Sequence, residues 1–440
     1  MRHTGLPTLL LGMILLLPAF NPAAYGNDDG QYWPQWRGPL ATGEAPAATP
    51  PLTWSEEKNV RWKVALPGRG HSTPIVWGEQ VFVTTAREIA GAAPGKETPR
   101  GRRGGIKPDA VHQFVIFALN RNNGTILWER VLRENRPHEG THLDGSWASN
   151  SAITDGEHLY AYFGSNGLYC LDLQGNLLWE KDLGDMQTRM GFGEGSSPVL
   201  HGDKLVINWD HEGDSFIIAL DKRSGKTVWK VARDEVTSWS TPLIVEHGGR
   251  AQVIVSATGR VRGYDLTDGK VLWESTGMTT NTIPSPVHHD GMVYVMSGFR
   301  GNALQAIRLS EARGDISGSA AIAWEYNQDT PYVPSPLLYR GNLYFLKHNR
   351  GILTALDLQS GAVIYGPQRL DIDGAYASPV GANGHIYIAG LDGTVLVLKH
   401  GDQFEVAATN QLDDRFSASP VMVGKQIFLR GERYLYCIAE

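Results

Sequence analysis

Two short strings carry the side chains from which metal or acid–base chemistry is built. The first, RPHEGTHLDGSW (136–147), holds His138-Glu139-Gly140-Thr141-His142. That is the H-E-x-x-H order, which on a helix puts two imidazoles on one face beside a general base. Here Pro137, Gly140 and Gly145 favour a loop over the helix the order requires. The second string, WDHEGD (209–214), sets Asp210, His211, Glu212 and Asp214 almost in a row. Alternating carboxylates suit a calcium loop, but Ser215 stands where such a loop wants Gly. If both strings open on one side of the fold, His138, Glu139, His142, Asp210, His211 and Glu212 line one pocket. Nitrogen with carboxylate oxygen suits zinc or manganese better than calcium. An open coordination position would then permit hydrolysis. One expectation is therefore a divalent metal on His138, His142, Asp210, His211 and Glu212. A second is a metal-free pocket holding an anionic ligand with help from Arg260 and Arg300. The third is that these side chains only satisfy their own loops. No catalytic residue is assigned.

The elements that must position these strings repeat along the chain. Ser-Pro or Thr-Pro recurs at Pro74, Pro198, Pro242, Pro286, Pro336, Pro379 and Pro420, with Ser151-Ala152 as a degenerate copy. Each is followed by two apolar strands and a third strand of the type FALN (117–120), YCLD (169–172), IALD (218–221), RGYD (262–265) or TALD (354–357). A fourth strand carries Trp128, Trp179, Trp229 and Trp273, each four residues after Gly124, Gly175, Gly225 and Gly269; Trp324 and Tyr365 hold the equivalent place in two later copies. A period in the forties with four short strands per copy predicts β-propeller blades. There are eight starts, and the eighth copy (416–440) ends after its third strand. NVRWKVAL (59–66), with Trp62, supplies the missing outer strand, so that first pairs with last and no sheet edge is left open. The fold expected over 57–440 is all-β: an eight-bladed propeller of four-stranded antiparallel blades, its ring closed by an N-terminal strand. Residues 27–56 form a separate leading segment, and an insertion loop spans about 87–112.

The Ala-Leu-Asp…Gly…Trp phrase resembles the tryptophan-docking repeat of quinoprotein propellers. That group includes pyrroloquinoline quinone dehydrogenases and the propeller lipoprotein of the outer-membrane barrel-assembly machinery. The opening WPQWRGP (33–39) is similar to the start of many secreted pyrroloquinoline-quinone-like repeat proteins. The resemblance implies that Trp62, Trp128, Trp179, Trp229, Trp273 and Trp324 wedge between neighbouring blades. It specifies fold far more than function. Quinone-binding relatives commonly use vicinal cysteines, a calcium ion and an Asp base. This chain has no adjacent cysteines, so no quinone ligand is assigned and no cofactor is expected beyond the possible metal.

With strand A starting at the top of each blade, the B–C loops and the D–A links all open on the top face. The B–C loops carry Arg260, Arg300, Lys347, Arg350, Arg430 and Arg433, and the insertion adds GKETPRGRRGGIKP. A top-face rim of Arg260, Arg300, Arg350 and Arg430 is expected to attract an anionic small molecule or polymer, or a protein partner. The whole chain carries 40 Lys and Arg against 46 Asp and Glu, a net charge of −6, which excludes a general nucleic-acid surface. Its 2 cysteines exclude a disulfide scaffold. Both replace the Ala of the third-strand phrase, so Cys170 and Cys437 are expected as free, buried thiols. Residues 1–26 read as a secretory signal peptide whose apolar run, Leu9 to Leu17, is too short to span a membrane. With no Cys at the cleavage point, a lipid anchor is not expected. The reading is a monomeric periplasmic or secreted propeller without a transmembrane segment, serving as a binding or scaffold module. A metal- or ligand-dependent enzyme at the top face is the alternative, and a pyrroloquinoline-quinone-dependent oxidoreductase, which the resemblance implies, ranks behind it.

Overall fold

The computed structural model describes Met1, residues 32–89 and residues 105–440. The expected signal peptide beyond Met1 and the arginine-rich middle of the insertion lie outside the described residues. Eight antiparallel sheets follow one another along the chain. Blade 1 consists of Ile75–Trp77, Gln80–Glu88, His112–Asn120 and Ile126–Asn135; blade 2 runs from Ile153–Thr154 to Leu177–Lys181, and blade 3 from Val199–His201 to Thr227–Ala232. Blades 4 to 7 begin at Leu243–His247, Val287–His289, Leu337–Tyr339 and Val380–Ala382. Blade 8 takes Val421–Val423, Gln426–Arg430 and Tyr434–Ile438 from the C-terminal end. Its outermost strand is Val60–Ala65, paired antiparallel with Tyr434–Ile438. Two blades exceed four strands. Tyr32–Trp33 adds to the inner strand of blade 1, and Gly314–Asp315 adds in parallel outside blade 4.

The Gly-to-Trp spacing has a physical cause that spans two blades. Trp62, Trp128, Trp179 and Trp229 donate their indole N–H groups to the carbonyls of Arg121, Leu173, Lys222 and Leu266 at 2.9–3.1 Å, each in the C–D turn of the following blade. Gly124, Gly175, Gly225 and Gly269 lie under those rings, where an added Cβ would fall 2.7–2.8 Å from the indole. They also hold positive φ of 67–82°, so glycine is required twice over. Trp273 departs from this pattern. Its indole folds over Gly263 of its own blade and donates to Gln252 Oε1 at 2.8 Å. The third-strand Ala is Gly in this copy, leaving room for the ring, and the blade 5 turn that would have received it is replaced by the segment carrying Gly314–Asp315. The Trp324 indole N–H is buried without a hydrogen-bond partner, although its ring covers Gly361. Cys170 and Cys437 are free and buried.

The Ser/Thr-Pro element forms the hub. The hydroxyl at each blade entrance accepts the backbone N–H of the equivalent residue one blade earlier: Thr73 N to Ser151, Ser151 to Ser197, Ser197 to Thr241, Thr241 to Ser285, Ser285 to Ser335, Ser335 to Ser378, Ser378 to Ser419, and Ser419 back to Thr73. All eight distances lie between 2.9 and 3.2 Å. Buried N–H groups need acceptors. This closed ring supplies one per blade where the blades converge.

Candidate functional site

Below the hydroxyl ring, the N-terminal segment crosses the channel. Pro34 O accepts from Thr154 N in blade 2, Thr42 O from Leu338 N in blade 6, and Gly43 O from Gly381 N in blade 7; Thr49 N donates to Gly424 O in blade 8. Arg37 is buried, and its Nη2 reaches the carbonyls of Thr42, Pro336 and Pro379 at 2.9–3.3 Å. Desolvation lowers its pKa to about 9. The described part of the N-terminal segment, with Tyr32–Trp33 on blade 1, is thus a plug knitted into five blades. Trp36 lines both a top cavity and a lower one, and forms the floor between them.

The top cavity has a volume of about 220 Å³ and is walled by the D–A links of all eight blades. One column of the repeat builds its rim: the residue two before each ring hydroxyl. In blade order these are His71, Ser149, Gly195, Trp239, Ile283, Val333, Tyr376 and Ser417, and every one lines the cavity. The ring hydroxyls are all Ser or Thr because they serve the backbone. The column above them varies freely, as residues facing a ligand can. Its side chains face a wall that includes Phe192, Tyr332, His142, Asp144 and Glu194, with no lysine or arginine among the described lining residues.

Asp144 Oδ1 accepts Arg415 Nη2 at 3.0 Å and Oδ2 accepts the Tyr376 hydroxyl at 3.2 Å. Glu194 receives the Ser165 N–H at 2.7 Å and its hydroxyl at 2.6 Å, yet burial dominates and pushes the carboxyl up to about 7. His71 is driven down to about 3 by burial and by the nearby Arg69, Arg430 and Arg415, so its imidazole is neutral. Its Nε2 and the hydroxyl of Ser417 are buried without hydrogen-bond partners. Trp239 is fixed by donating to Gly193 O at 2.7 Å, and Tyr332 stacks on Phe299 with centroids 4.6 Å apart.

The residues singled out for metal binding are each committed elsewhere. No part of His138–His142 is helical; Thr141–His142 is a two-residue strand paired with Gly105–Ile106 of the insertion. His138 Nε2 lies 2.6 Å from Met186 O, and Glu139 Oε2 accepts the Thr188 N–H and hydroxyl at 2.8 Å. His142 Nδ1 accepts Asp144 N at 3.1 Å. Asp210 is buried against Arg233, with contacts of 2.6 and 3.0 Å, and also accepts from Ser238 and Asn208. His211 Nδ1 accepts Gln187 N at 3.0 Å, and Glu212 Oε1 accepts the Thr237 hydroxyl at 2.8 Å. Among the described residues no three His, Cys, Asp or Glu side chains group to hold an ion. The two strings do open upward, but their side chains brace neighbouring links.

The arginine rim also needs correction. Arg430 is buried at 2% exposure, with Nη1 on Thr84 O at 2.7 Å, tying blade 8 to blade 1; desolvation lowers its pKa to about 9. Arg260 pairs with Asp315 at 3.5 Å on the outside of blade 4. Arg300 and Arg350 are exposed. Trp36, His71, Asp144, Glu194, Trp239, Tyr332, Tyr376 and Arg415 were not singled out from sequence; counting back two residues from each Ser/Thr-Pro would have found three of them.

The sequence matches the family described as outer membrane protein assembly factor BamB over residues 52–209 and 213–438. No curated protein matches it. Among solved structures, BamB from Moraxella catarrhalis superposes with a TM-score of 0.54 at 14% identity, covering 80% of this chain and 98% of that one. The computationally designed Ika8 protein gives 0.55 at 8% identity, covering 89% and 100%. Quinohemoprotein alcohol dehydrogenase from Comamonas testosteroni gives 0.50 at 10% identity, covering 94% and 81%. At these identities the likeness is one of fold. Pyrroloquinoline quinone, a planar tricarboxylate, does not fit the residues present. Among the described residues the cavity wall offers it two carboxyls and no lysine or arginine, Arg415 is spent on Asp144, and the two cysteines lie buried in different blades. Among the described residues no helix is long and apolar enough to cross a membrane.

Proposed function

The chain belongs to the BamB family of quinoprotein-like propellers, and from that premise we propose that it is an extracytoplasmic binding module whose ligand or partner segment enters the top-face funnel. The observation that supports this reading most is the minus-two column. Eight copies repeat their hub hydroxyl, and most repeat their turn glycine and outer tryptophan, yet the minus-two positions around one mouth hold seven different residue types, from Gly and Ser to His, Tyr and Trp. The floor at Trp36 supports entry from above. The unpartnered His71 Nε2 and Ser417 hydroxyl support a polar guest, since buried polar groups are ordinarily satisfied.

A cysteine-protection assay tests it. Ile283→Cys in the funnel and Lys425→Cys in the exposed A–B turn of blade 8 are labelled with a maleimide, with and without the extracytoplasmic fraction of the source cell. Both native thiols are buried and should stay silent. Protection of Ile283→Cys alone is expected. Protection of Lys425→Cys alone, or of neither, would overturn the reading.

A further inference from the structure

Resting on that reading of the funnel, we propose that its guest is a neutral sugar unit entering end-on. Three features converge on this chemistry. The walls are aromatic: Trp239, Tyr332, Phe192 and Tyr376 face the cavity, and two are held in place by the Gly193 carbonyl and the Phe299 stack. Flat rings with fixed orientation suit the C–H face of a pyranose, which is apolar while its edge is polar.

The polar groups left for a guest are chiefly acceptors. His71 is neutral, its ring is held on one side by the Asp144 main chain, and Nε2 stays unpartnered. The Asp144 carboxylate is oriented by Arg415 and Tyr376. Acceptors fixed this way call for hydroxyl donors, and the Ser417 hydroxyl can give or take. Charge decides between guests. Among the described residues no lysine or arginine lines the wall, and the arginines nearest His71 are engaged, Arg69 on the Leu143 carbonyl, Arg415 on Asp144 and Arg430 on the Thr84 carbonyl, so an anion finds no free counter-ion among them. A cation finds the Asp144 charge already neutralised by Arg415 at 3.0 Å. A neutral, hydroxyl-rich guest is matched on both counts.

Size and access give the mode of entry. A cavity of about 220 Å³ is smaller than the roughly 300–1,000 Å³ usual for drug-sized ligands. It is floored by Trp36, so a chain end can enter and a polymer cannot thread through.

Calorimetric titration with glucose, galactose, xylose and N-acetylglucosamine, and with a β-linked trimer and polymer of each, tests the proposal; glucuronate and choline serve as charged probes. At least one neutral sugar should bind saturably, with trimer and polymer equal per non-reducing end. Glucuronate should bind about tenfold more weakly than glucose, a difference of ~1.4 kcal/mol, and choline not at all. Trp239→Ala and His71→Phe should each weaken the sugar about tenfold. His71→Phe keeps a ring in place while removing the acceptor and the ring's bond to the Asp144 main chain, so it remains informative if Trp239→Ala fails to fold. Preference for choline or glucuronate would overturn the proposal, as would affinity unchanged by both substitutions. If no sugar binds while Ile283→Cys is still protected by the extract, the ligand class is wrong and the funnel reading stands. If protection is absent too, both fall.

Discussion

Replacing Ser335 by Ala breaks one link of the hydroxyl ring and leaves the rest of the blade untouched. Ser335 is 1% exposed, accepts the Ser285 N–H at 2.9 Å, and lines neither the top nor the lower cavity. Its own N–H keeps Ser378 as acceptor. The substitution therefore orphans one buried amide, at a cost of about 1–3 kcal/mol. Ser419, which accepts the Ser378 N–H at 3.0 Å, lines the top cavity, where water can replace its hydroxyl. Ser419→Ala should fall at the low end of that range and Ser335→Ala at the high end. Ser335→Thr should be nearly neutral, because Thr73 and Thr241 already serve the ring. Guanidinium unfolding followed by tryptophan fluorescence measures all three against Ser310→Ala, an exposed control expected within about 0.5 kcal/mol of wild type. A Ser335→Ala midpoint equal to that of Ser310→Ala would refute the ring as a stabilising device.

Trp62→Ala should cost about 3–5 kcal/mol and more than Trp324→Ala, because Trp62 is buried and bonded to Arg121 O across the first-to-last junction while the Trp324 indole N–H has no partner; equal losses in chemical denaturation would contradict this. Burial raises both thiols to about 12, so Cys170 and Cys437 should resist a disulfide reagent at pH 8 and both react once the chain is unfolded, as counted by absorbance. Burial pushes the Glu194 carboxyl up to about 7 from the ordinary 4.5 of an exposed glutamate, so the folded chain binds the extra proton between those values. Its contribution to stability must then fall as pH rises from about 4.5 to 7. Glu194→Gln should flatten that part of the stability–pH curve, and an unchanged curve would show that another group sets it.

What was legible in the sequence is what the backbone demands in every copy. Ser/Thr-Pro marks an acceptor needed at each blade entrance, and Gly124 or Gly225 marks a turn with positive φ beneath an indole. Repetition makes such needs visible. What was not legible depends on a single partner in another blade. Arg430 reads as a loop-edge cation, and only the Thr84 carbonyl of blade 1 shows that it is buried. His138, Glu139, His211 and Glu212 have metal-ligand chemistry, but Met186, Thr188, Gln187 and Thr237 claim them from neighbouring links. Trp273 fits the repeat until Gly263 opens space within its own blade. The plug formed by residues 32–49 has no periodicity to betray it. The cavity lining lay in plain view at a fixed offset, but as variation rather than repetition.

Photo-cross-linking tests the location of the binding site most directly. Benzoylphenylalanine is placed in turn at Ile283, Val333 and Tyr376 in the funnel, and at Lys425 and Leu40 at the opposite end, in protein expressed in its own cells. Cross-links to a common species from the three funnel positions and none from the other two are expected. Cross-links from Leu40 or Lys425 with the funnel silent would place the working surface at the plugged end and contradict the assignment.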